Sequence, residues 1–389
     1  MPQVYPTARV SAKGAERWAA GHPWIYRTDV IGEPGETPGV VSVLDRKGKF
    51  LGQALYSPRS EIRLRQIEPA ERTLDRAWWV ERLRASLARR AGIDATAYRV
   101  VHGEGDGLPS LIVDRYDRWG VVQLLSAGLE TMRAEIVSAL IEVLGVDGIL
   151  LRNDAGVRRH EGLKEEVTLA HGDVPQAIEV REGSVRFLAA PWTGQKTGAF
   201  LDQRPNRVLA AELTRPGGEA LDCFSYHGSF ALHLATRAAR VTAVDASTEA
   251  LARGAENAAL NGCKNIEWIE GDAFEVLRGY ERARRKFDTV VVDPPAFAKS
   301  KSAVEGALRG YHEINLRAMR ILAPGGVLVT ASCSFHVSRA TFLETLAAAA
   351  ADSGRRLTLV RVLNQGVDHP EIVTIPETGY LKGAVLRAD

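Results

Sequence analysis

From Glu219 onward, apolar strands alternate with amphipathic helices, and no other feature of the chain restricts its fold as much. The pattern predicts strands over 220–224, 241–245, 266–270, 289–293 and 327–331, and helices over 229–239, 247–261, 304–322 and 338–350. Ser247 and Ser338 stand where helix N-caps belong. A strand, a helix and a further strand close a parallel pair by a right-handed crossover. The expected class is therefore α/β, with a doubly wound, Rossmann-like sheet at the C-terminus. Ligands of such sheets gather at the carboxyl ends of the strands, so the residues there are the first candidates for chemistry.

Acids occupy those ends. The first strand leads through Asp222-Cys223-Phe224-Ser225-Tyr226-His227-Gly228 into a helix, with Gly228 able to bring backbone close to a ligand. One glycine stands where the dinucleotide fingerprint has three, which favours a cofactor without a pyrophosphate. The second strand ends in Asp245-Ala246, where an acid can accept both hydroxyls of a ribose, and the third in Asp272-Ala273, where it can accept from an adenine amino group. Each Asp alone reads first as a helix cap or turn former; three at successive strand ends form a pattern. The fourth strand ends Asp293-Pro294-Pro295-Ala296-Phe297, a turn stiffened by two prolines that would hold Asp293 and a stacking ring, Phe297, over the pocket. The fifth ends Ser332-Cys333-Ser334. If the fourth and fifth strands are neighbours, the Cys333 thiol emerges beside Asp293.

Upstream, residues 1–70 alternate short apolar runs such as Val40–Leu44 and Phe50–Tyr56 with turn residues, which predicts a small β-rich barrel. Residues 71–190 read as an α+β middle domain, with helices near 74–90 and 131–144 and strands at 111–113, 121–125 and 185–187; residues 191–389 carry the doubly wound sheet. The net charge of +2 hides an asymmetry: residues 1–100 hold 17 basic against 11 acidic side chains, and the remainder 33 against 37. A basic module on a near-neutral chain fits contact with a polyanion, and fits a merely solvated Arg-rich surface as well. No run approaches a membrane span and Met1–Gly14 lacks a secretory apolar stretch, so a cytoplasmic protein without membrane contact is expected. Three widely spaced cysteines, Cys223, Cys263 and Cys333, argue against a disulfide framework and a zinc cluster.

Together these motifs resemble class I S-adenosylmethionine-dependent methyltransferases. More narrowly, they resemble the bacterial 23S ribosomal RNA large subunit cytosine-C5 methyltransferases of the RlmI type. The likeness covers nearly the whole chain: Gly21-His22-Pro23-Trp24-Ile25-Tyr26 is similar to the family's N-terminal PUA module, an RNA-binding barrel. Gly103–Pro109 with Val113-Asp114-Arg115-Tyr116 is similar to its middle domain, and Lys196–Arg204 to the segment entering the methyltransferase domain and reaching back over the cofactor. The resemblance implies S-adenosylmethionine as cofactor, with Asp222, Phe224, Tyr226 and Gly228 at its methionine end, Asp245 and Ala246 at the ribose, Asp272 and Ala273 at the adenine, and Gln203 closing the pocket. It implies Cys333 as nucleophile and ribosomal RNA (23S) as partner, with a homodimer left open; beside it Asp293 is read as the catalytic group that holds the base, Phe297 and Lys196 are placed against the substrate, and no metal is expected because the sulfonium is already an activated donor. Pro295 stands where many RNA cytosine-C5 enzymes carry a second cysteine, which leaves the group assisting product release unassigned. Two other functions stay open at this point: methylation of an exocyclic amino group through the Asp293-Pro294-Pro295 turn, and a non-catalytic RNA-binding assembly factor.

Overall fold

The computed structural model describes residues 4–298 and 300–389. The chain forms two compact units, one of residues up to 180 with 189–201 and 367–378, the other of 181–188, 202–366 and 379–389.

In the first unit, strands Gly39–Leu44, Phe50–Tyr56 and Ile62–Glu68 form an antiparallel meander, and Thr7–Val10 adds in parallel to Gly39–Leu44. Their inward faces bury Ala8, Val10, Ile25, Val41, Val43 and Leu64 with the indole of Trp18. Trp18 lies on a helix, Ala12–Ala19, that the strand-like reading of this region passed over; Ser11 caps it, accepting the Gly14 N–H at 3.1 Å. A second, five-stranded sheet spans Ala97 to Gly172. Helix Arg76–Ala88, capped by Asp75, contributes fully buried Trp78 and Trp79 to the core, and helix Arg133–Leu144 adds Ile136 and Leu140. The expected strand at 185–187 is found as Val185–Ala189, which pairs with Ile178–Glu182 in a separate two-stranded ribbon. Residues 189–201 pack within the first unit. The Thr197 hydroxyl donates to Asp114 at 2.5 Å and lies 2.9 Å from the Tyr116 hydroxyl, while the Arg99 guanidinium forks onto the same carboxylate at 2.7 and 2.8 Å.

The second unit is built on seven strands: β1 (Glu219–Cys223), β2 (Arg240–Asp245), β3 (Ile266–Glu270), β4 (Phe287–Val292), β5 (Leu322–Ser332), β6 (Leu357–Leu363) and β7 (Lys382–Ala388). Their order is β3-β2-β1-β4-β5-β7-β6, parallel through β5 and antiparallel for β7 and β6. The five parallel strands fall where the alternation predicts. β6 and β7 were not anticipated, because a C-terminal antiparallel pair breaks the strand–helix rhythm and β6 is exposed along most of its length. Helices α1 (Arg204–Leu213), α2 (Ser229–Ala235), α3 (Thr248–Leu260), α4 (Ala273–Arg282), α5 (Val304–Arg320) and α6 (Arg339–Ser353) complete the unit. Ser247 and Ser338 do cap α3 and α6, accepting N–H bonds from Ala250 and Thr341. Helices α1 and α4 were also missing from the sequence reading.

A buried ion pair ties α1 to the segment before the sheet. The Arg207 guanidinium donates to Glu182 at 2.6 and 2.8 Å, both side chains are at most 3% exposed, and His233 lies 3.3 Å from the same carboxylate. Burial pushes the Glu182 carboxyl up, but Arg207 more than offsets it and holds it below the usual range. Replacing one partner strands the other charge in a dry interior. Arg207→Met is expected to lower unfolding stability by about 3–5 kcal/mol, measured by denaturant titration; a loss below about 1 kcal/mol would show that the pair is not buried in solution.

Candidate active site

The turn between β1 and α2 is tightly wound. Phe224, Tyr226 and Gly228 have φ of 63°, 51° and 82°, and two of the three are not glycine, a strain of order 1–3 kcal/mol each that proteins keep at functional turns. Two bonds to β2 hold it: the Ser225 N–H donates to the Val244 carbonyl at 3.0 Å, and the Tyr226 N–H to Asp245 Oδ2 at 2.8 Å. Gly228 is needed for a reason the sequence did not reveal. A Cβ there would lie 2.4 Å from the Trp268 ring, and one at Gly254 would lie 2.5 Å from it, so the β3 indole is wedged beneath the turn. His227 is buried at 4% exposure, stacked 5.4 Å from Phe187 and 4.6 Å from Tyr226; burial pushes it down to about 4, so it packs as a neutral ring.

The acids at the strand ends differ in their environments. Asp222 is 1% exposed; Oδ2 accepts the Ala231 N–H at 2.9 Å, whereas Oδ1 is buried without a partner. Burial drives its carboxyl well above the usual range, opposed by the Ala231 N–H and reinforced by the charges of Asp293 and Asp245. Asp245 is half-buried and accepts from Tyr226 and, through Oδ1 at 2.9 Å, from Ser247; each oxygen retains a lone pair for a hydroxyl. Ala246 beside it is exposed. Asp272 is the N-cap of α4, Oδ1 accepting from Phe274 and Glu275 at 2.8 and 3.2 Å, and Ala273 is buried in the first turn. The capping role weighed for Asp272 is thus real and uses one of its two oxygens.

β4 and β5 are neighbours, with Val292 opposite Thr330, so Asp293 and Cys333 stand at the carboxyl ends of adjacent parallel strands. Gln203 does more than border the site: its Nε2 donates to Asp293 Oδ1 at 2.9 Å, and its Oε1 accepts from Asn206 at 2.6 Å, which fixes the direction of the amide. Phe297 is packed with one face toward Tyr311 at 4.7 Å and with Phe274 at 6.1 Å, in a cluster continuous with the core. The ring near Cys333 that faces solvent is Phe335, 59% exposed. Ser334 is fully buried and pinned by the Ala298 N–H, the Tyr311 hydroxyl and the Lys382 ammonium, the last bonded to its carbonyl at 2.8 Å. Lys196 belongs to the first unit, its ammonium 4.6 Å over the Phe200 ring. Of the other thiols, Cys223 is buried in β1 with its pKa driven up by burial, and Cys263 is half-buried beyond the end of α3.

Residues 8–68 match a PUA-like domain family, and residues 163–386, more than half the chain, match the S-adenosylmethionine-dependent methyltransferases. Ribosomal RNA large subunit methyltransferase I of Vibrio vulnificus is 41% identical over 379 residues, 93% of this chain and 94% of its own. The chain belongs to that family. Among solved structures, a candidate S-adenosylmethionine-dependent methyltransferase from Streptococcus mutans shares the fold at a TM-score of 0.82 and 20% identity, over 99% of this chain and 100% of its own. Another, crystallised with SAH, does so at 0.84, again with 20% identity and the same coverage.

Membership in the family brings S-adenosylmethionine as cofactor, and the residues present suit it. The unpartnered oxygen of buried Asp222 and the neighbouring carboxylates of Asp245 and Asp293 form a negative site for a ligand that carries an ammonium and a sulfonium. If the ribose lies at Asp245, replacing it by Ala removes an acceptor for a hydroxyl; it also frees the Tyr226 N–H. Hydrogen bonds to charged groups are worth roughly 1.5–3 kcal/mol, so calorimetry of S-adenosylmethionine binding is expected to show affinity lowered about tenfold or more. An unchanged affinity would remove Asp245 from the site.

Proposed function

We propose that the protein methylates C5 of a cytosine in ribosomal RNA, 23S RNA by analogy with the relative's name, through a covalent bond between Cys333 and C6 of the base. Methylation of ribosomal RNA with S-adenosylmethionine follows from its family; the atom and the adduct are our reading. The observation that carries it is the placement of Cys333 and Asp293 on adjacent strand ends of the sheet whose neighbouring strands bear Asp222 and Asp245. C5 of cytosine is a poor nucleophile until C6 is attacked. The Cys333 thiolate adds to C6 and moves an electron pair toward C5 and N3. Asp293, oriented by Gln203, holds the N3/N4 edge of the base and accepts from its amino group. When bound, the cofactor supplies an electrophilic sulfonium methyl, so the site needs no metal to activate its donor. After transfer, a water takes the C5 proton, the C5–H electron pair re-forms the C5–C6 double bond, and the C6–S pair returns to sulfur, which frees the thiolate. Exposed Phe335, two residues after Cys333, gives an RNA base a ring to stack on in addition to the half-buried Phe297. A ribosomal RNA substrate implies work in the cytoplasm.

The division into residues 1–70 as an RNA-binding module, 71–190 as a middle domain and 191–389 as the methyltransferase domain is part of the same proposal. Within the first module the turn after Gly39–Leu44 exposes Arg46, Lys47 and Lys49. Phosphate contacts release counterions, with a slope of about −0.7 per contact on single strands. Changing all three to Gln is expected to weaken RNA binding and reduce the slope of log K against log salt by up to about 2, with the methylated nucleoside unchanged; an unaltered slope would place the RNA surface elsewhere.

The chemical test is labelled methyl transfer to ribosomal RNA followed by nucleoside identification. Cys333→Ala is expected to abolish transfer while retaining S-adenosylmethionine binding, and RNA containing 5-fluorocytosine to trap the wild type covalently but not the variant. Near wild-type turnover by Cys333→Ala, with methyl on the exocyclic nitrogen, would replace this mechanism by amino methylation.

A further inference from the structure

A nucleophilic thiol must ionise, and its ordinary pKa near 8.5 leaves only a few per cent as thiolate at neutral pH. Lys382 opens β7, the strand absent from the sequence reading, and pairs across the antiparallel ladder with Ser332, the residue before Cys333. Its side chain runs alongside the end of β5 to reach the carbonyl of Ser334, the residue after Cys333, at 2.8 Å. Lys382 is 4% exposed. A buried ammonium is costly unless an anion faces it, yet among the described residues no carboxylate pairs with it. The charged groups that face it are Cys333 and the Arg339 guanidinium.

We propose that the buried Lys382 and the half-buried Cys333 form an ammonium–thiolate pair, in which Lys382 supplies the positive charge that keeps the nucleophile ionised. This rests on the reading of Cys333 as nucleophile and adds the group that prepares it. The thiol gives its proton to solvent; Lys382 keeps all three of its own, one of them bonded to the Ser334 carbonyl. Lys382 is thus a positioning residue, acting through sulfur without touching the base. Burial chiefly, opposed by the Cys333 charge and helped by Arg339, brings its ammonium down to about 8. The pair therefore exists between the Cys333 midpoint and about pH 8: below that window sulfur takes a proton, and above it Lys382 loses one. Arg339 on α6 also favours the thiolate. Asp293, at the neighbouring strand end, opposes it. Tyr311 on α5 stays a neutral phenol, raised mainly by burial and further by the Cys333 charge.

The pair can be tested apart from turnover by alkylating Cys333 with iodoacetamide between pH 5.5 and 9.5 in a Cys263→Ser background, with the Cys333 peptide followed by mass spectrometry. The wild type is expected to show a midpoint below 8.5. Lys382→Met is expected to move it up by about one unit or more and slow alkylation at pH 7 about tenfold, whereas Lys382→Arg retains the low midpoint. In turnover, Lys382→Met should lower kcat about tenfold with little change in KM for RNA. If Lys382→Met does not fold, Lys382→Gln, which keeps a donor for the Ser334 carbonyl, is judged by the same criteria. A wild-type midpoint at or above 8.5, or a midpoint unmoved by loss of the charge, overturns the pair and leaves the nucleophile standing. Turnover by Cys333→Ala would instead dismiss the nucleophile while leaving the alkylation midpoint untouched.

Discussion

The parallel pairing of β1 with β2 on one side and β4 on the other governs everything else in the second unit. Its register sets Asp222 beside Ala243 and Val291, and the next pairing sets Val292 beside Thr330. Four strands consequently end at one edge of the sheet with Asp222, Asp245, Asp293 and Cys333 at or near their tips. The apolar residues preceding those tips, such as Leu221, Val244, Val292 and Leu328, are wholly buried. Both faces of these strands are buried, so a register slip of one residue would exchange the side chains packed on the two faces and move the acids off their shared edge. The pattern that makes the core thus also aligns the site.

Such a convergence of like charges carries an electrostatic cost, and the local structure offsets it unevenly. Asp245 is relieved by two backbone N–H donors, Asp293 by the Gln203 amide, and Asp222 by a single N–H from α2. The residual demand at Asp222 Oδ1 is what a cationic cofactor can satisfy. Lys382 presents the opposite case, an ammonium buried next to a thiol with no carboxylate partner among the described residues. Both positions hold an ionisable group that packing alone would not tolerate in charged form, and both lie at the carboxyl edge of the sheet.

Which residues were legible in the sequence follows from how local their determinants are. Asp222, Asp245 and Asp293 could be found because each sits where an apolar run of strand length stops. Asp272 was found by the same rule, and its position one residue before α4 also makes it a cap; the sequence permitted both roles without ranking them. Gly228 was noticed, but its neighbour Trp268 lies 40 residues away on β3, and only the folded sheet shows that the indole occupies the space a side chain would need. Phe297, expected over the pocket, is half-buried with its ring 4.7 Å from Tyr311, a contact 14 residues away that the sequence alone did not show.

By itself the sequence determined the class of fold, the five parallel strands, the acids at their ends and the identity of the cysteine at the last of them. These depend on hydrophobic periodicity and on residues adjacent in the chain. Tertiary structure alone decided that β7 lies against β5, that the Lys382 ammonium stands by the end of β5 that carries Cys333, and that Gln203 bonds to Asp293. Each of these joins groups 49 to 90 residues apart, and the antiparallel return of β7 follows no periodicity in the strands before it. Such contacts are set by which surfaces remain unpaired once the parallel sheet has formed, and a local pattern carries no record of that.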